Sequence, residues 1–206
     1  MSWGPEHWSA VANIAMAGAA VGGAVAAFVG LGTWKKQFSW QNDADLARRI
    51  LLASYRYRDA IFALRNPKIQ GFEMVPEDGL VRPGKDPWNG TSNAFVRRLT
   101  LVRSLRTELE GVLQEAEAQW GDHSKEHFGR LFKEEEKLLR AVQLFLRSID
   151  DSMLQDDRVR AMQRMKEDGN IHFRSTTADQ DDFSRNFESL ISSVSERLRE
   201  KIGHTP

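Results

Sequence analysis

The sequence predicts an all-α protein: one N-terminal transmembrane helix followed by an antiparallel helical bundle of the four-helix type. Three observations lead there. From His7 to Trp34 no Asp, Glu, Lys or Arg interrupts WSAVANIAMAGAAVGGAVAAFVGLGTW. Beyond it, apolar residues recur three and four apart over several long segments, the period of an amphipathic helix. No stretch shows the strict alternation of a half-buried strand.

The apolar run is long enough to span, since a ~30 Å hydrocarbon core needs only ~20 helical residues. The residues before it, MSWGPEH, hold Glu6 and no Lys or Arg, so they lack the basic n-region of a cleaved signal. Lys35 and Lys36 follow the run at once, with Arg48, Arg49, Arg56 and Arg58 soon after. That asymmetry predicts a single-pass topology with the short N-terminus, 1–7, outside, the span at 8–34 and a cytoplasmic domain at 35–206. Trp8, Trp34, Lys35 and Lys36 are the expected interfacial anchors, with Trp3 and Trp40 flanking them. The combination suggests a bacterial inner-membrane protein.

Within the run, Gly18, Gly22, Ala26 and Gly30 recur every fourth residue, beside a second row at Ala15, Ala19, Gly23 and Ala27. Lipid solvates bulky side chains as well as a partner helix does, so close helix approach in a membrane depends on such small faces. The first row is the candidate surface for self-association, and Asn13 offers the one strongly polar side chain near it.

After the span, Leu46, Ile50, Ala53, Tyr57, Ala60 and Leu64 form a coiled-coil-like seam, predicting a helix over about 43–65 that Pro67 stops. The sequence leaves open whether the span runs straight through KKQFSWQ into this helix. Residues 66–91, carrying Pro67, Pro76, Pro83 and Pro87 with Gly71, Gly79, Gly84 and Gly90, read as an irregular loop, longer than a bundle connection needs. Phe95, Leu99, Val102, Leu109, Leu113 and Ala116 predict the next helix, over about 92–120, and Gly121 ends it. Phe128, Leu131, Leu138, Val142, Phe145 and Ile149 define a third helix that continues to about 167, with a weak point at DDSMLQDD. Phe183, Phe187, Ile191, Val194 and Leu198 mark the last, over about 179–202.

Composition narrows function mainly by exclusion. Lys plus Arg and Asp plus Glu balance at 29 each, so no overall field draws nucleic acid, and the absence of cysteine removes disulfides and thiolate chemistry. Gly79 to Asp86, GLVRPGKD, approaches a phosphate-binding loop but places Asp where the magnesium hydroxyl belongs. His123 and His127 share the spacing of a zinc pair but lack a third ligand and the zincin glutamate. Glu134, Glu135 and Glu136, interleaved with Lys133, Lys137 and Arg140, read as a solvated face. Asn89-Gly90-Thr91 fits a glycosylation acceptor on what the topology makes the unmodified side. No catalytic motif emerges, so the expectation is a protein that is not an enzyme and takes no cofactor or metal.

The leading expectation is therefore a membrane-anchored interaction or sensor protein whose partners are membrane lipid, further copies of itself and a protein ligand. One alternative is an effector whose oligomerised Ala/Gly span perturbs the membrane when triggered. Another is an anion or nucleotide site on Arg97, Arg98, Arg103 and Arg106, which have no acidic neighbour until Glu108. Structural pairing offers a plainer account of these arginines, with Asp150, Asp151, Asp156 and Asp157 expected at the same end of the bundle.

Overall fold

The computed structural model describes residues 5–75, 87–121, 124–169, 171–175 and 181–203. Within its helices the side chains of 5–15, 17, 21, 24–26, 28, 29, 33, 36, 87–89, 124, 125 and 127 lie outside the described set. The described chain is all-helical, without strands: α1 (Pro5–Leu64), α2 (Gly71–Met74), α3 (Pro87–Trp120), α4 (Ser124–Ile149), α5 (Gln155–Glu167) and α6 (Asp182–Gly203).

The bundle is a closed ring of four helices. α1 packs on α3 and α6, and α4 closes the ring by packing on the other side of both. Pairings along the helices fix their directions. Arg49 of α1 bonds Glu115 late in α3 while Arg56, farther along, bonds Glu108 earlier in it. Phe95 early in α3 meets Phe145 late in α4, and Arg65 at the end of α1 meets Ser184 at the start of α6. The chain thus runs up, down, up, down. The predicted seam of α1 supplies the centre: Leu46, Ile50, Ala53, Tyr57, Ala60 and Leu64 are all buried, facing Phe95, Val102, Leu109, Leu131, Leu138 and Phe187.

α1 settles the open question of continuity. Its 60 residues form one helix, about 90 Å long at ~1.5 Å per residue, carrying the apolar run and the bundle seam on a single backbone. Trp8, Ala26 and Lys36 lie outside the described side chains, as do many other residues of 8–34. Among the described residues no helix is long and apolar enough to cross a membrane.

Three expected boundaries shift. α3 begins at Pro87 rather than near 92, because proline presets the first helical φ and gives up an N–H that is unpaired there anyway. The expected loop 66–91 holds the short α2, whose Gln70 N–H bonds the Glu73 carboxylate and whose Met74 lies against Gly90 of α3. A Cβ on Gly90 would stand 2.6 Å from the Met74 methyl and 3.3 Å from its Cβ, so glycine permits that approach. The expected helix over 123–167 is two helices. Asp150 breaks it by accepting bonds from both the N–H and the hydroxyl of Ser152, an alternative to the helical ladder that Asp and Ser favour. Gly121 (φ 61°) and Gly169 (φ 76°) stop α3 and α5 in the left-handed region.

Candidate functional site

Two places combine unusual chemistry with accessibility: the solitary N-terminal part of α1 and the opposite end of the bundle. Along α1, every position from 16 to 42 whose side chain is described is exposed. Met16, Leu31, Trp34 and Phe38 are each more than half exposed, and Trp34 stacks on Phe38. Gly18, Gly22 and Gly30 have nothing within 4 Å of where a Cβ would stand. Lys35 is exposed beside Trp34. Burial begins only at Ala44, next to Asp43, whose carboxylate receives the Gln119 amide and the Trp120 indole N–H.

At the opposite end, Ile171, Phe173, Asp181 and Ser184 close over the terminus of α1 around Arg65, which is 1% exposed. Its five N–H groups are all spent. Nε donates to the Ile171 carbonyl (2.6 Å), Nη1 to Asp181 and the Ser184 hydroxyl, and Nη2 to the Phe173 carbonyl and Asp181. The guanidinium also lies 4.4 Å over the Phe183 ring. The Arg174 N–H returns the grip by bonding the Arg65 carbonyl. Burial alone would raise the Asp181 carboxyl, but Arg65 and the N–H and hydroxyl of Ser184 outweigh it and hold the group below its ordinary range.

Beside this latch opens a cavity of about 920 Å³ lined by Phe145, Met162, Met165, His172, Phe173 and Phe183, with Arg65 in its wall. His172 stacks on Phe145 at 4.7 Å and is 4% exposed. Burial, with the nearby Arg65 charge, lowers its imidazole to about 4, so it is neutral at pH 7, and its Nδ1 has no hydrogen-bond partner.

The four arginines singled out from the sequence do not converge. Arg98 is buried, forked onto Glu73 and bonded to the carbonyls of Asn66 and Lys68, so it pins the expected loop to α3. Arg97 bonds the Val75 carbonyl. Arg106 lies 3.6 Å over Phe132 and pairs with Glu110 and Glu135. Arg103 is exposed. The aspartates expected to face them stay local instead: Asp151 pairs with Arg158 and Asp157 with Arg160. Their own break at Asp150 keeps them near α5, while Glu73 takes Arg98, and Glu110 and Glu135 take Arg106.

The glutamate run is likewise not wholly solvated. Glu135 is buried against Arg106, with the buried Tyr57 phenol in the same interior. Burial raises that phenol, Glu135 adds to the rise and Arg106 opposes it. Three consecutive helical residues cannot share one face, and position 135 falls in phase with Leu131 and Leu138. Among the described residues no group of His, Asp and Glu could hold a metal ion. His123, the side chain of His127, the segment 79–86 and the side chain of Asn89 lie outside the described residues. No protein-family model, curated protein or solved structure matches the chain.

Proposed function

We propose that the chain is a single-pass membrane protein, not an enzyme, that self-associates through residues 8–34 and uses its bundle as an interaction or sensor domain. The N-terminus lies outside and the bundle in the cytoplasm, beneath what we infer to be a bacterial inner membrane. One observation carries the reading: α1 leaves the bundle as a single helix whose described side chains are exposed and include Met16, Leu31, Trp34 and Phe38. Leu31, Trp34 and Phe38, three and four residues apart and each more than half exposed, form an apolar stripe that lipid or another protein would cover. Charge asymmetry and the Trp34–Lys35 pair favour lipid, and the open space over Gly18, Gly22 and Gly30 favours a second helix lying close.

The absence of native cysteine makes the test direct. A single cysteine at Ser2 or at Thr205, probed in intact cells with a membrane-impermeant thiol reagent, is expected to react only at Ser2. Reaction at Thr205 alone reverses the topology. Sedimentation away from membranes, for either variant, removes the anchor. The effector reading separates from this one by conductance: overexpression that collapses the membrane potential only with an intact Gly22 face would replace the sensor with a membrane-perturbing protein.

A further inference from the structure

We propose that the cavity beside Arg65 is a receptor site for an uncharged, planar aromatic or heteroaromatic small molecule, seated among Phe145, His172, Phe173 and Phe183. Met162 and Met165 of α5 form its adaptable wall. The proposal rests on the sensor part of the reading above and not on the membrane part.

Size and lining come first. About 920 Å³ is ample for a small organic ligand, and the aromatic rings with two thioethers give the apolar body such sites use. Charge then narrows the class. Arg65 is the residue that would ordinarily draw an anion, but its five N–H groups already serve Asp181, Ser184 and two carbonyls. The lining holds two arginines, Arg65 and Arg174, against three aspartates, Asp168, Asp181 and Asp182. A phosphate or carboxylate ligand would meet a balance of the wrong sign.

His172 supplies the polar handle. A neutral imidazole, nearly fully buried and with Nδ1 unpartnered, is a poor choice for packing alone, since buried polar groups are almost always bonded. The nitrogen is itself covered, so a ligand heteroatom reaches it only as the α5 wall gives way, and would then satisfy it without adding charge. The wall opposite is adjustable: α5 packs chiefly on α4, buries only Ala161, and presents methionines, which fit irregular partners.

The chain's six methionines provide the test. The full chain, labelled with ¹³C at its methionine methyls and held in a mild detergent that disperses it whether or not it spans a membrane, is titrated with quinoline at pH 7, and in parallel with quinoline-2-carboxylate. Quinoline is expected to shift the Met162 and Met165 methyls saturably while Met16 and Met74 stay still, and the carboxylate to bind at least tenfold more weakly. Met165→Trp, which narrows the cavity at its α5 wall, should raise the apparent Kd read at Met162 by tenfold or more. His172→Phe, which keeps a planar aromatic ring and removes the ring nitrogens, should weaken binding severalfold and serves should Met165→Trp misfold. Uniform shifts across all methionines, no saturable shift, or equal binding of the carboxylate would overturn the site. None of these results depends on the labelling at Ser2 and Thr205, so the two readings fail separately.

Discussion

From Ala44 to Leu64, α1 presents Leu46, Ile50, Tyr57, Ile61 and Leu64 to a protein interior that buries them completely. From Met16 to Asn42 every described side chain of the same helix is exposed, glycine, alanine and scattered large apolar residues among them. The difference teaches that helix and core are separate decisions. The backbone continues because nothing from 5 to 64 breaks it after Pro5, whereas packing begins only where a three-four seam of large side chains begins. Composition records the same division: small residues crowd the part whose described side chains are exposed, and large ones the part that finds its partner within.

The largest test of the internal half lies at its end. Asp181→Ala leaves the buried Arg65 charge unpaired and should cost about 3–5 kcal/mol in urea unfolding of the bundle. Arg65→Met combined with Asp181→Leu should recover a good part of that loss. An Asp181→Ala cost below about 1 kcal/mol would show that the latch does not hold α1.

Acid should weaken the same end. The unfolded chain takes up the His172 proton near 6.5 and the folded one only near 4, so the contribution of the neutral imidazole is complete above 6.5 and is lost as pH falls toward 4. At pH 4.5 this amounts to about 2–3 kcal/mol at ~1.4 kcal/mol per pH unit. Comparing unfolding at pH 7 and pH 4.5 in the wild type and in His172→Phe checks it, and an unchanged acid loss in the variant would assign the effect elsewhere.

The external half calls for a membrane measurement. Gly22→Leu should weaken self-association about tenfold, on the ~1–2 kcal/mol scale of membrane-helix contacts, and leave bundle unfolding untouched. Cross-linking in lipid vesicles reads the first and urea the second; unaltered association would move the contact off the Gly18, Gly22 and Gly30 row. The smallest effect belongs to Arg49→Ala. Its fork on Glu115 has good distances, 2.6 and 2.7 Å, but both side chains are nearly half exposed, so the loss should stay within about 1 kcal/mol.

Four bundle helices were legible because periodicity is written in residues such as Leu46, Ile50, Tyr57 and Leu64, and Gly121 marks a stop that the backbone uses. The break at Asp150 was visible as a weak point but not as a stop, since an Asx turn depends on side-chain geometry that a pattern of apolar residues does not encode. The start of α3 was hidden by reading Pro87 as loop punctuation. The distal end was harder. Arg65 and His172 look like ordinary polar residues, and only folding brings Ile171, Phe173, Asp181 and Ser184 onto the end of α1. One signal was available for Glu135 and Arg106: each sits in phase with apolar neighbours, Leu131 and Leu138 for one, Val102 and Leu109 for the other, where a charge implies a partner inside.

Because α1 is unbroken, it conserves rotational phase between Gly22 and Arg65. Each residue along it fixes about 100° of azimuth and ~1.5 Å of height. Whatever orients one end therefore sets the compass bearing of the other. One residue inserted between Trp34 and Ala44 would turn the distal cavity by about 100° relative to the glycine row, whereas four would return it nearly to its heading, about 6 Å farther away. Function that survives the four-residue insertion and fails with one would mark the helix as an angular gauge, and equal tolerance of both would reduce it to a tether.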